Sequence, residues 1–200
     1  MKVTAIGSTV DDLELCCFGT LSKFIKDGNE VKVIIANNTK TNMTEELLRK
    51  QTESSKKIGI SEVYFTNGFD YSNLTQGNVQ VLRSFLEKIT PSLAIIPFNN
   101  TFNPKLKILA RCSLIACHGI ENVLMYELDE NPDFVPDTYL TISDEDLSKK
   151  FRLSAAYDNK RKQLQRKMRS LYKLRSRQAG MRMAFEAFKT HRVLLIDNGF

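Results

Sequence analysis

The segment AIGSTVDDLELCCFGTL, residues 5–21, combines the end of an apolar run, a polar turn with two adjacent aspartates and the start of an amphipathic segment. This order is typical of a β-strand that leads through a short turn into a helix. In an open α/β sheet the turn after the first strand lies at the carboxyl edge, where ligands usually bind. Asp11 and Asp12 are therefore either ligand-binding groups or capping carboxylates of the following helix, and the sequence leaves both interpretations open.

The chain repeats this alternation of strands and helices up to residue 128. Apolar runs and helical spacing predict strands at 2–7, 30–37, 62–66, 92–98 and 122–128, and helices at 12–27, 44–59, 77–89 and 103–119. Such alternation predicts an α/β fold that is Rossmann-like, with a mostly parallel sheet and helices on both faces.

The pattern changes after residue 128. An irregular loop with two prolines precedes a predicted edge strand at 138–143, and a helix with an acidic first turn begins near residue 144. A long helical stretch is predicted from about 161 to 188, and a strand at 191–196. We therefore expect one domain over residues 1–200, with a core at about 1–128. A C-terminal helical extension should follow at about 129–200 and contain one strand and the basic helices.

Composition excludes several classes of protein. The hydrophobic content of 42% is ordinary for a globular chain, and the apolar runs are shorter than the ~20 residues that span a bilayer. No leader-like segment is found, so we expect a cytoplasmic protein without a membrane span. The four cysteines lack CxxC spacing and are expected to fill the core. Glycine-rich phosphate loops are missing from the sequence.

Positive charge is concentrated at the C-terminal end. Residues 153–200 hold 12 lysines and arginines against 3 acidic residues, and the segment 159–185 has no acidic residue. Such a helix is either an ordinary solvated face or a surface for nucleic acid phosphates, an anionic membrane or an acidic protein. The polyanion-binding candidates are Lys160, Arg161, Lys162, Arg166, Lys167 and Arg169.

Residues 8–21, STVDDLELCCFGTL, resemble the A-H-P-D-D-x-E-L-G-C-G-G-T-L motif of the PIG-L / LmbE-like zinc-dependent N-acetyl-sugar deacetylases. Five later segments are similar to motifs of the same family in the same order. They are DGNEVKVIIAN, KKIGISEVYFTNGFD, MYE, FVPDTYLTISDEDLSKKFRLSAAYDNKRKQ, and RSRQAG followed by EAF. The resemblance runs from residue 8 to residue 188 and implies the α/β fold of these deacetylases.

The resemblance also implies a catalytic mechanism. In the family, two histidines and an aspartate hold a zinc ion whose bound water loses a proton near neutral pH, and a neighbouring aspartate is the general base. Asp12 matches the aspartate ligand and Asp11 the general base, whereas Thr9 replaces the first histidine. The later H-P-D-H motif becomes the segment NPKL, residues 103–106, so that Leu106 replaces the other histidine.

We therefore expect a deacetylase-like protein that has lost zinc, holds no metal or other cofactor, and acts as a binding or accessory protein. Its ligand-binding candidates are Thr9, Asp12, Asn103 and Lys105, with Asp11 as a residual general base. The expected partners are an amino-sugar-type small molecule and a second protein or a second copy of the chain. The alternatives are an active N-deacetylase of N-acyl amino sugars and a polyanion-binding module.

Two further positions have two interpretations each. Lys105 either pairs with Asp11 or Asp12 across the cleft and replaces the missing cation, or points into solvent. Phe18, which stands where the family has glycine, either narrows the cleft or fills the core.

Overall fold

Seven strands form one sheet in the computed structural model. The structure describes residues 1–36, 49, 52–53, 55–56, 59–128, 131–155 and 159–194, and for 151–155, 159–165 and 167 the backbone only. The strands are β1 (Lys2–Gly7), β2 (Glu30–Ala36), β3 (Glu62–Thr66), β4 (Leu93–Pro97), β5 (Asn122–Tyr126), β6 (Thr138–Ile142) and β7 (Ala184–Arg192). The predicted helix at 44–59 lies largely outside the described residues.

The strand order is β3-β2-β1-β4-β5-β7-β6. The first five strands are parallel, and β7 runs antiparallel to both β5 and β6. The prediction of a mostly parallel, Rossmann-like sheet is confirmed. Because the chain moves from β1 towards β3 on one side and from β4 towards β5 on the other, the direction of winding reverses between β1 and β4. Ligands of open α/β sheets bind at such a reversal, outside the carboxyl ends of the strands.

Helices cover both faces of the sheet. Ile95 packs in one buried cluster with Phe18, whereas its neighbour Ile96 packs in a second cluster, on the opposite face, with Leu82. Phe18 is completely buried and therefore fills the core. The helices are α1 (Val10–Cys16), α2 (Phe18–Lys26), α3 (Gln76–Ile89), α4 (Pro104–Ala116), α5 (Asp144–Ala155) and α6 (Asn159–Gln178), and a 3₁₀ turn (Cys117–Gly119) follows α4.

The single helix predicted at 12–27 is wrong, because the chain forms two helices there. Cys17 separates α1 from α2 with a non-helical backbone (φ −140°, ψ 16°). The break leaves the first amides of α2 without acceptors inside the helix. The carboxylate of Glu186 accepts hydrogen bonds from two of them, Gly19 N (3.0 Å) and Thr20 N (2.7 Å). A distant strand therefore caps a helix start that the local pattern does not reveal.

The prediction for the C-terminal region is also wrong in part. The helix predicted to residue 188 ends at Gln178, and residues 184–192 form β7 instead of the predicted strand at 191–196. The segment AFEAF contains good helix formers, but pairing with β5 and β6 on both sides overrides that preference. The predicted edge strand at 138–143 is confirmed as β6 (Thr138–Ile142).

All four cysteines are free thiols. Cys17, Cys112 and Cys117 are buried in the two clusters, as predicted for core-filling residues, and Cys16 is half-buried. Among the described residues, no helix is long and apolar enough to cross a membrane.

Candidate functional site

The candidate site is the crevice at the carboxyl ends of β1 and β4, here called the β1/β4 crevice. Residues 8–12 follow β1, and residues 98–106 follow β4. Because these two strands are parallel neighbours, both segments leave the sheet at the same edge. All five candidate site residues therefore lie in the two segments that border the crevice.

Asp12 is held in a capping box at the start of α1. Its backbone N donates to Thr9 Oγ1 (3.2 Å), and its Oδ2 accepts from Thr9 N (3.2 Å) and from the Ser8 hydroxyl. This reciprocal arrangement satisfies amides that the first turn of a helix leaves without partners. Among the described residues none binds Oδ1, so this oxygen remains able to accept a hydrogen bond from a ligand. Asp12 therefore caps the helix through one carboxylate oxygen, and its other oxygen has no hydrogen-bond partner among the described residues.

Burial raises the pKa of the Asp12 carboxyl above its ordinary range, while the hydrogen bonds from Ser8 and Thr9 oppose this shift. A carboxyl with a raised pKa binds its proton more tightly in the folded state than in the unfolded chain. We therefore expect the free energy of unfolding to fall as pH rises from the ordinary pKa of aspartate, ~3.9, towards the raised value. Asp12→Asn should remove this part of the pH dependence, measured by urea unfolding across the acidic range. If the free energy of unfolding of Asp12→Asn depended on pH as that of the parent chain does, this expectation would be contradicted.

Two tyrosines that the sequence did not single out lie close enough to Asp12 for its charge to affect them. Tyr126, at the end of β5, donates from its hydroxyl to the carbonyl of Ile6 (3.1 Å), and Tyr71 donates to the carbonyl of Ala36 (2.7 Å). Burial is the main cause that raises the pKa of both phenols, and the Asp12 charge adds to it. Both hydroxyls therefore stay protonated and hold the ends of β1 and β2 in place beside the crevice.

Asn103 is the N-cap of α4. Its Oδ1 accepts from Lys105 N (3.1 Å) and Leu106 N (3.3 Å), and Pro104 occupies the first turn, where no amide hydrogen is needed. The Lys105 side chain is exposed and forms no ion pair within the described part of the chain, which favours the solvent-facing interpretation over a pair with an aspartate. Leu106 is partly buried and packs against the cluster that contains Phe18.

The cap predicts a measurable effect. Asn103→Ala should lower the free energy of unfolding by about 1 kcal/mol, because two amides of α4 lose their acceptor. Asn103→Ser, which keeps a capping oxygen, should cost clearly less in the same urea titration. Equal losses for both variants would show that the cap does not contribute.

A catalytic zinc ion, which the resemblance implies, does not fit these residues. Thr9 and Asn103 are engaged as helix caps, and Leu106 has no lone pair to donate. Of the residues at the three ligand positions, Asp12 alone has the chemistry of a zinc ligand, whereas catalytic zinc is held by three protein ligands. Among the described residues, no three His, Cys, Asp or Glu side chains come together in a group suited to a metal ion.

A buried ion pair lies behind α1. Lys150 Nζ binds Glu186 Oε1 at 2.8 Å and also donates to the Tyr172 hydroxyl, and the Lys150 and Glu186 side chains are at most 1% exposed. The Tyr172 hydroxyl in turn donates to the carbonyl of Leu15 in α1 (3.2 Å). These contacts join α1, α2, α5, α6 and β7. The cluster stabilises the helix that carries Asp12 and is not itself open to a ligand.

Neither a comparison with models of protein families nor one with curated proteins gives a match. Among solved structures, a conserved protein from Thermus thermophilus has a TM-score of 0.77 at 17% identity, covering 99% of this chain and 98% of that chain. N,N'-diacetylchitobiose deacetylase from Pyrococcus horikoshii has a TM-score of 0.76 at 15% identity, and the match covers 98% of this chain and 88% of the deacetylase. GalB, the 4-carboxy-2-hydroxymuconate hydratase of Pseudomonas putida, has a TM-score of 0.76 at 12% identity, and the match covers 100% of this chain and 99% of the hydratase.

These similarities define the fold over nearly the whole chain. The α/β fold of LmbE/PIG-L-type deacetylases, expected from the sequence motifs, is the fold observed. A deacetylase and a hydratase share it, so the fold does not determine the reaction, and function has to be argued from the site.

Proposed function

We propose that this deacetylase-like chain is a binding or accessory protein that uses the β1/β4 crevice to bind a small polar molecule and performs no zinc-dependent deacetylation. One observation carries the proposal: the side chains at the positions of the missing histidines have other structural roles. Thr9 caps α1, and Leu106 packs against the core. A ligand set of one carboxylate cannot provide the affinity that a catalytic zinc ion needs.

The remaining polar groups suit a neutral ligand rich in hydroxyl and amide groups, such as an N-acyl amino sugar. Asp12 Oδ1 is available as an acceptor within the described structure, and Lys105 is an exposed cation at the start of α4, the helix that borders the crevice. Thr9 and Asn103 position these two groups by capping the helices that carry them. Small-ligand sites commonly have a few such polar groups that fix orientation.

The test combines metal analysis with assays of binding and hydrolysis. Protein purified without chelator and exposed to zinc should hold much less than one zinc per chain, and should not release acetate from N-acetylglucosamine derivatives. Binding of N-acetylglucosamine or glucosamine, followed by NMR, should weaken in Asp12→Asn. Stoichiometric zinc with hydrolysis would overturn the proposal and favour an active N-deacetylase. Hydrolysis without zinc that depends on Asp11 would favour a metal-independent enzyme instead.

A further inference from the structure

The outer surface of α6 carries a line of cations, here called the basic stripe: Arg166, Arg169, Lys173 and Arg177. All four side chains are exposed. Arg166, Lys173 and Arg177 are spaced i, i+7 and i+11, so they lie on one side of the helix, with Arg169 beside them. At ~1.5 Å per residue, the stripe is about 16 Å long.

The opposite side of α6 explains why the stripe faces outwards. Met168, Tyr172 and Arg175 are buried, and Arg175 forms a two-point ion pair with Glu127, which follows β5. The inner side is therefore fixed by packing and by a buried ion pair. The stripe is thus held on a firmly docked helix rather than on a mobile segment of chain.

Three charges of the stripe, those of Arg166, Lys173 and Arg177, are not neutralised by described neighbours. Within the described part of the chain, no acidic side chain forms an ion pair with Arg166, Lys173 or Arg177, and the segment 159–185 contains no acidic residue. Arg182, in the turn before β7, is also exposed and adds positive charge at the same end. Lys160, Arg161, Lys162 and Lys167 belong to the same predicted surface, but their side chains lie outside the described residues.

We propose that the basic stripe binds the phosphate backbone of a nucleic acid. A line of cations with about one charge per helical turn is complementary to a regular row of phosphates. An amphipathic membrane helix would carry apolar side chains along its length, whereas Leu174 is the one apolar residue among the exposed described side chains of α6, and the exposed Met181 and Met183 lie beyond its end. Binding of this kind fixes position and carries no base specificity.

The test uses the full chain and its salt dependence. Binding of a short labelled RNA and of the matching duplex DNA is measured by fluorescence anisotropy. With four phosphate contacts, log K for the duplex DNA should fall against log salt with a slope of about −3.6, a loss of roughly a hundredfold between about 50 and 200 mM salt, and log K for single-stranded RNA with a slope of about −2.8. Lys173→Gln with Arg177→Gln should reduce the slope for the duplex to about −1.8 and the loss to roughly tenfold.

A matched control separates the stripe from overall charge. Lys88→Gln with Arg111→Gln removes two exposed cations from α3 and α4, with the same change in net charge. Glutamine is a good helix former, and circular dichroism checks that both variants fold. The control pair should keep the original slope. Equal slopes in the two pairs, no binding at about 50 mM salt, or binding to phosphatidylserine vesicles but not to nucleic acid would each overturn the proposal.

Discussion

Glu186→Gln is expected to lower the free energy of unfolding by about 3–5 kcal/mol, several times the effect of losing a helix cap. The Glu186 side chain is fully buried and is paired with the equally buried ammonium of Lys150. Without the negative charge, Lys150 remains charged in a site that water does not reach. Gly19 N and Thr20 N each donate to one oxygen of this carboxylate. In glutamine one of these oxygens is replaced by an NH2 group, whose hydrogens would face a backbone N–H and leave it without an acceptor.

Urea unfolding followed by circular dichroism measures the effect. Asp27→Asn is the matched control, because it removes one carboxylate from an exposed pair with Lys23 and should cost less than about 1 kcal/mol. The double variant Lys150→Met with Glu186→Leu should recover part of the stability, since it removes both charges together. A loss for Glu186→Gln no larger than that of the control would show that the buried pair does not stabilise the fold.

Thr9→His combined with Leu106→His is expected to give a variant that binds zinc stoichiometrically, in contrast to the parent chain, for which we propose that no zinc is held. Together with Asp12, the two histidines would restore the three ligands that the sequence resemblance implies, with a position left for water. The backbone bond from residue 9 to Asp12 Oδ2 does not depend on the threonine side chain, so the carboxylate should stay in place. A dissociation constant below about 1 μM, or about 8 kcal/mol of binding free energy, is expected.

Competition with a chromophoric chelator measures this affinity. Either histidine alone leaves two ligands and should bind zinc far more weakly, and adding Asp12→Asn to the double variant should abolish the gain. Thermal unfolding with and without zinc provides a readout independent of activity, because a ligand that binds the folded state raises the melting temperature. If the double variant gains no zinc, the residues at positions 9, 12 and 106 do not surround one site, and the correspondence with the deacetylase motif fails.

The sequence predicted the parallel part of the sheet because its central strands β1, β4 and β5 are buried on both faces. The segments VIIA in β2 and LAIIP in β4 are continuous apolar runs, and the helices between the strands have local start and stop signals. The errors occur where distant contacts decide the structure. Glu186 caps α2 from 167 residues away, and β7 is a strand because it has a partner on each side.

The candidate site was predictable in position but not in detail. The turn after β1 and the cap of α4 follow from short motifs, which is why Asp12 and Asn103 could be assigned to the crevice. The structure shows that Asp12 caps α1, which confirms the capping interpretation, whereas the binding of a ligand by Asp12 stays a prediction. Tyr71 and Tyr126 carry no local signal, because each donates to the carbonyl of a strand residue that is distant in the sequence.

The place of β7 between β5 and β6 has a consequence for how the protein is made. β6 leaves the ribosome more than 40 residues before β7 is complete, yet its pairing partner in the sheet is β7. Until then, β5 presents an unpaired edge, which is open to association with other nascent chains. We therefore expect the parallel strands to assemble during translation, and the final closure of the sheet to wait until synthesis has passed Arg192.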